Sequence, residues 1–365
     1  MCGNCGKETR RDEWGWRDGC GGAFDIILDL GGKRFSELVD ANERSIRRYA
    51  QFLPVEKFPV VHQGWTPIVK KNIGGVEVNF KLEYLSIGGS FKDRGAYISV
   101  AKAKELDVKG IIVDSSGNAG IGFSLMGLLS GIDVDVFIPR YAPEGKKSLL
   151  RLLEANIHEI DGDRMDVNQA AVEAEKEGLV YVGHWWNPYF IEGVKTIAYE
   201  TYEQIGGVDC VVVPVGSGTI LLGLYKGYEE LVKLGVLNEV PRVIAVQACG
   251  YSGICEELGA RKECIAKSGL ADGIAITDPP RRRQIVEVVT RTKGCGIIVN
   301  DEEIKESLVD LRRLGFIVEP TSATAYAALE QAIKQGLIKP GSKVLLPLTG
   351  SGLKLLDELV TIRAN

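Results

Sequence analysis

The stretch GGSFKDRG, residues 88 to 95, sets a lysine at the threshold of a helix. Ser90 and Asp93 stand in capping-box spacing and the run AYISVAKAKE after them is helix-forming, so Lys92 is expected in a first turn. There the positive end of the helix dipole opposes a second cation and favours the neutral amine. Partial desolvation would act in the same direction, and a neutral amine is both nucleophile and base.

Three further stretches place small polar residues where a strand ends. IIVDS runs into Ser115-Ser116-Gly117-Asn118-Ala119-Gly120 and then a helix, which leaves unpaired amides among small side chains, an anion site in outline. Taken alone it is equally a serine-capped turn with Asn118 as a turn residue. CVVVPV runs into Gly216-Ser217-Gly218-Thr219, whose glycines let amides face a phosphate while Ser217 and Thr219 add hydroxyls. A dinucleotide fingerprint is not met, because the third glycine is Gly223 where position 221 is required and the next strand ends in Gln247 instead of an acid. A single phosphate fits better. KVLLPL ends in Thr349-Gly350-Ser351-Gly352, with Thr349 offering a neutral hydroxyl.

The elements around these loops read as α/β. From about residue 108, β-branched runs (GIIVDSS, IDVDVFIP, NIHEID, LVYVG) alternate with helical stretches, which describes a parallel sheet with crossover helices. A second series begins after residue 192 and includes VDCVVVPVG, VIAVQAC, GCGIIV and KVLLPL between helical segments. Two open parallel-sheet domains are therefore expected, with ligands gathered beyond the carboxyl ends of the strands. Residues 250 to 290 carry a weaker pattern, and Arg281 to Arg283 after Pro279-Pro280 read as a solvated loop.

With 365 residues and 45% hydrophobic content, the chain can bury about two domains. A net charge of -5 builds no basic stripe, which argues against a nucleic-acid partner. No run approaches the length of a membrane span and the N-terminus lacks a signal-peptide core, so no membrane partner and a cytoplasmic location are the default. Cys210, Cys249, Cys255, Cys264 and Cys295 are dispersed and read mostly as small buried hydrophobes. Cys2, Cys5 and Cys20 lie in a glycine- and charge-rich opening that suits a zinc ribbon, but a second CxxC would need cysteine where Arg17 stands. A fourth ligand would have to be something like Asp18 or a water, and the ribbon is read as degenerate, with no metal.

GSFKDRG, SSGN, GSGT, NPYFIEGVKT, EPTSA and LTGSGLK occur together and in one order. On these motifs the chain resembles the fold type II (tryptophan synthase β-like) pyridoxal-5′-phosphate enzymes, threonine synthases above all, over roughly residues 34 to 355. The leading CxxC segment also looks like the ribbon on some members of that family. The resemblance implies a ribbon-like appendage at 1–33, a large cofactor-binding domain from 34–100 and 184–365, and a small mobile domain at 101–183. It implies that Lys92 carries pyridoxal 5′-phosphate as an imine and, once displaced, acts as base at the substrate α-carbon. Asn118 would bond the phenolic oxygen, Gly216, Ser217, Gly218 and Thr219 the phosphate, and Thr349 the pyridine nitrogen. Ser115, Ser116 and Gly117 would receive the substrate carboxylate. A homodimer is implied as well.

A neutral hydroxyl at the ring nitrogen does not favour a protonated pyridine as a carboxylate would, so the ring withdraws electrons less fully, which favours elimination and replacement over transamination. The expected function is thus a lyase of threonine-synthase type, acting by β/γ-elimination or replacement on an α-amino acid, with O-phosphohomoserine to threonine ranked first. Alternatives are β-replacement on O-phosphoserine, as in cysteine or cysteate synthesis, and a serine/threonine dehydratase, which LADGIAI (270–276) also resembles. A non-catalytic amino-acid or phosphate sensor and a ribbon-mediated partner protein are the readings from other classes. Departures from the family pattern cluster on the substrate side. Phe190 stands where NPxRxEG carries a phosphate-binding arginine, Gly183-His184-Trp185-Trp186 is unusually bulky, and Ser351 replaces a histidine. His184 and Phe190 are accordingly the expected specificity residues.

Overall fold

The structure is a computed structural model that describes residues 1–9, 14–30, 32–142 and 144–362. Along the chain, α1 (Phe35–Leu38) precedes the hairpin β1 (Ile68–Ile73) and β2 (Val76–Lys81). Next come α2 (Lys92–Glu105), β3 (Gly110–Val113), α3 (Asn118–Ser130), β4 (Asp133–Pro139), α4 (Glu144–Leu152), β5 (Asn156–Ile160), α5 (Arg164–Glu173), β6 (Leu179–Tyr181) and α6 (Pro188–Ile205). The remainder runs β7 (Cys210–Pro214), α7 (Thr219–Lys233), β8 (Arg242–Ala248), α8 (Gly253–Glu257), α9 (Arg282–Arg291), β9 (Cys295–Val299), α10 (Asp301–Arg313), α11 (Pro320–Lys334), β10 (Lys343–Pro347) and α12 (Leu356–Leu359).

Two compact units result, one from Met1–Trp65 with Lys92–Thr196 and the other from Thr66–Phe91 with Ile197–Asn365. In the first, a four-stranded sheet has the order β5-β4-β3-β6 and every pair is parallel. GIIV of β3 is buried throughout, as a central parallel strand covered on both faces must be. One face packs Trp16, Ile112, Phe137, Val167, Ala171 and Tyr181 into a core. Asp163 caps α5 by accepting from the amides of Met165 and Asp166, the capping chemistry that its sequence position calls for.

The second unit holds a six-stranded sheet of order β1-β2-β10-β7-β8-β9, parallel except for the β1 edge. The last strand, β10, lies between β2 and β7. Its Leu345 is opposite Asn79 on one side and Val211 on the other. The α/β class with two mainly parallel sheets is thus the observed architecture. Among the described residues no helix is long and apolar enough to cross a membrane.

Three local expectations change. Arg281 is buried and Arg282 opens α9, so the arginine run is not a solvated loop. Arg281 Nη1 donates to Gln284 Oε1 at 2.8 Å, while Arg282 pairs with Glu257 and Asp278. A guanidinium can be buried when its donors are met within the same helix start. Cys249 and Cys264 form a disulfide instead of standing as separate hydrophobes, whereas Cys210 and Cys255 are buried thiols. Ser90 is buried but its hydroxyl finds no hydrogen-bond partner among the described residues, so it does not cap α2.

Candidate active site

In the unit that contains it, Lys92 is the first residue of α2 and is half-buried. One turn further on, Gly95 lies against Phe190, where a β-carbon would stand 2.4 Å from the ring. Only glycine permits that approach. Phe190 is wholly buried, with its ring centroid 5.9 Å from Phe123 and 5.6 Å from His184. The amide oxygen of Asn187 accepts from the amides of Tyr189 and Phe190, and its nitrogen donates to Ser99 Oγ and Val182 O. That set fixes where α6 begins and hence where Phe190 sits.

His184 is buried, and its Nδ1 has no hydrogen-bond partner among the described residues. Burial first, then the positive charges of Lys92 and Arg164, hold this imidazole well below its ordinary pKa. It is therefore neutral at physiological pH. Arg164 donates from Nη2 to Asp114 Oδ2 at 2.9 Å and lies over the Trp185 ring, 4.7 Å from its centroid. Its Nη1 is buried without a partner among the described residues.

Asp114 closes a network directly before the Ser115-Ser116-Gly117 turn. Tyr181 donates its hydroxyl to Asp114 Oδ1 at 3.0 Å, and Asn168 donates to Asp114 Oδ2 at 2.7 Å. Burial, reinforced by the Asp114 charge, pushes the Tyr181 hydroxyl well above its ordinary pKa, so it remains a donor. Ser115, Ser116, Gly117 and Asn118 are all half-buried; Gly117 N–H bonds Ser115 Oγ at 3.3 Å, and Asn118 opens α3.

The second unit carries the other candidate residues. Gly218, immediately before α7, is left-handed at φ +80°, and a β-carbon there would meet Ile285 Cδ1 at 2.2 Å. Ser217 Oγ and Thr219 Oγ1 are 3.3 Å apart. At the start of α7 the first-turn amides have no intrahelical acceptors and the dipole favours an anion. Gly216 is packed against the Asp272–Ile274 turn, where a β-carbon would stand 2.8 Å from Ile274 Cα. Gly273 N–H bonds Thr321 Oγ1 at 3.1 Å, so LADGIAI and EPTSA brace the 216–219 turn from behind. Thr349 is buried with its hydroxyl 2.9 Å from Ser322 Oγ, and the Gly350 amide donates to the same Ser322 oxygen at 3.0 Å. Phe91 N–H bonds Thr349 O at 3.0 Å within this unit.

Gly273, Ser322 and the Asp114 network went unassigned in the sequence. EPTSA and LADGIAI were the available signals, but nothing local in them says which loop they brace. The glycine turn at a helix start and a buried neutral hydroxyl pair at Thr349 suit a phosphate and an uncharged heterocyclic nitrogen. These residues fit pyridoxal 5′-phosphate.

Comparison with known proteins agrees. Residues 61–350 match the family described as pyridoxal-phosphate dependent enzyme. A threonine synthase of Methanocaldococcus jannaschii is 31% identical over 387 aligned positions, covering 100% of this chain and 94% of that protein. One from Methanosarcina acetivorans is 31% identical, covering 97% of this chain and 91% of its own length. Among solved structures, maize serine racemase superposes with a TM-score of 0.68 at 24% identity, covering 81% of this chain and 92% of that one. The chain therefore belongs to the pyridoxal-phosphate dependent enzyme family, as a threonine synthase-like, fold type II lyase that uses pyridoxal 5′-phosphate.

Proposed function

We propose that the protein eliminates or replaces a β- or γ-substituent on an α-amino acid whose leaving group is an anion, with O-phosphohomoserine to threonine as the first reading. Pyridoxal 5′-phosphate, when bound, supplies the electron withdrawal that lets the substrate α-carbon give up its proton. Lys92 would hold the cofactor through Nζ, and its free amine would accept the substrate α-proton. Ser115, Ser116 and Gly117 hold the substrate carboxylate and Asn118 orients the ring oxygen. Gly216, Ser217, Gly218 and Thr219 receive the cofactor phosphate. Thr349, aligned by Ser322, would serve as a neutral partner for the pyridine nitrogen, which would favour expulsion of a leaving group over transamination.

One observation supports an anionic leaving group. Neutral His184, with an unpartnered Nδ1, lies in the positive field of Lys92 and Arg164, and Arg164 keeps a buried Nη1 without a partner among the described residues. A buried guanidinium donor of this kind has a cost unless an acceptor arrives. Arg164 and His184 then do the work that the family assigns to an arginine at the Phe190 position. Buried Phe190 favours a second reading, β-replacement on O-phosphoserine, because the phosphate would be held differently. Phosphate release from O-phosphohomoserine against O-phosphoserine ranks the two, with threonine as the product that supports the first. Silence with both substrates, together with ammonia release from serine or threonine, would move the assignment to a dehydratase. A cytoplasmic location and a homodimer belong to the same proposal.

A further inference from the structure

Residues 1–9 and 14–24 each contain a tight turn. Cys2 N–H bonds Lys7 O at 2.7 Å and Gly6 N–H bonds Cys2 O at 3.0 Å. Opposite them, Asp18 N–H bonds Gly22 O and Gly21 N–H bonds Asp18 O, each at 2.9 Å. The first turn carries Cys2 and Cys5, and the second Asp18 and Cys20. We propose that Cys2, Cys5, Cys20 and Asp18 form a tetrahedral Zn²⁺ site with three thiolate sulfurs and one carboxylate oxygen.

The donor atoms of these four residues all lie within 4.8 Å of one another. Sulfurs of Cys2 and Cys20 are 3.5 Å apart, as are those of Cys5 and Cys20, and Cys5 Sγ is 3.4 Å from Asp18 Oδ2. A tetrahedral ion with Zn–S of about 2.3 Å and Zn–O of about 2.0 Å sets sulfurs about 3.8 Å apart and sulfur to oxygen about 3.5 Å apart. The three close pairs need to open by a few tenths of an ångström and the wider pairs, up to 4.8 Å apart, to close by up to about 1 Å, shifts within the reach of side-chain torsions. Three thiolates select a soft or borderline ion over Mg²⁺ or Ca²⁺.

The surroundings are built for it as well. Backbone amides of Asn4 and Cys5 point at the Cys2 sulfur, and the Cys20 amide donates to Asp18 Oδ2 at 3.3 Å. Lys7 pairs with the remaining Asp18 oxygen at 3.2 Å, which orients the carboxylate and offsets the net negative charge of three thiolates and a carboxylate on one divalent ion. Gly22 has to be glycine, since a β-carbon would stand 2.5 Å from Cys2 Sγ.

The site is structural, and what it holds in place is specific. Trp14 Nε1 donates to Tyr181 O at 2.9 Å and its ring stacks 5.3 Å from Tyr189. Trp16 lies 5.0 Å from Tyr181 and 5.7 Å from Trp186, ring centre to ring centre. The metal knuckle thus pins two tryptophans against the stretch that carries His184, within a segment that has almost no core of its own. In such small segments metal binding supplies the folding energy.

The test uses the full chain with its cofactor, purified in reductant without chelator. Elemental analysis is expected to find about one zinc per chain. Cobalt exchanged for zinc is expected to give thiolate-to-metal charge-transfer absorption with the strong visible bands of a tetrahedral ion. Asp18→Asn should weaken metal retention about tenfold or more against a competing chelator, with cofactor content unchanged. Cys5→Ser should abolish retention. If that variant does not fold, alkylation of the wild-type chain decides, with Cys2, Cys5 and Cys20 protected by added Zn²⁺ and exposed by chelator. The proposal is overturned if zinc is substoichiometric and the three thiols alkylate equally fast with and without Zn²⁺, or if a pair of them is recovered as a disulfide from reductant. These readouts do not depend on the substrate assignment.

Discussion

Phe190 fills the space in front of Gly95, so closely that a β-carbon on Gly95 would stand 2.4 Å from its ring. Phe190 is thus a core position beneath α2. Phe190→Arg should therefore lose about 3 kcal/mol or more of stability by burying an unpaired cation, without improving phosphate release. Urea unfolding checks the first half and steady-state phosphate release the second. A stable Phe190→Arg protein with faster turnover would show that the side chain reaches substrate.

Gly218 combines a left-handed backbone with contact to Ile285. Gly218→Ala should weaken pyridoxal 5′-phosphate binding by about tenfold or more, from strain of about 1–3 kcal/mol at the turn. Titration of the apo-protein followed by absorbance gives the dissociation constant. An unchanged value would separate this turn from the phosphate.

Lys81 and Glu200 form a fully buried pair at 2.8 Å, in which Lys81 also donates to Thr66 O at 2.7 Å and Gln204 Oε1 at 3.0 Å. Glu200→Ala should cost about 3–5 kcal/mol because it leaves the lysine charge uncompensated. The double variant Lys81→Met/Glu200→Leu should recover most of that loss. Denaturant midpoints for the single and double variants distinguish this from simple loss of packing.

His184 gives a pH signature. Its folded pKa is depressed by burial and by Lys92 and Arg164, while in the unfolded chain it titrates near 6.5. As the pH falls through about 6.5, the unfolded state takes up a proton that the folded state does not, so stability falls and keeps falling toward the depressed folded value. Above that window the two states bind the same number of protons at this site. Thermal melts between about pH 7 and 5 should show a shallower decline for His184→Asn than for the parent. Equal slopes would mean that His184 is solvated or charged in the native protein.

Much of the architecture was legible because its signals are local. The fully buried GIIV and CVVVP runs, each followed by a glycine turn and a helix, placed β3, α3, β7 and α7, and the helix after GGSF placed Lys92 at the start of α2. Sheet order was not legible, since β10 pairs with β2 across more than two hundred residues and no local pattern encodes that choice. Arg281 was misread because a charged side chain is buried only when distant or helical partners meet its donors. The Cys249–Cys264 bond and the meeting of Asp18 with three cysteines also depend on how turns close in space. Residue types were visible in each case, but their distances were not.

The central claim is that Lys92 carries the cofactor. Borohydride reduction of the purified protein, followed by peptide mass spectrometry, tests it directly. The expected result is a pyridoxyl phosphate adduct on Lys92 alone, with Lys92→Ala losing both the adduct and the visible absorbance of the bound cofactor. An unmodified Lys92 in cofactor-saturated protein, or an adduct on another lysine, would contradict the account.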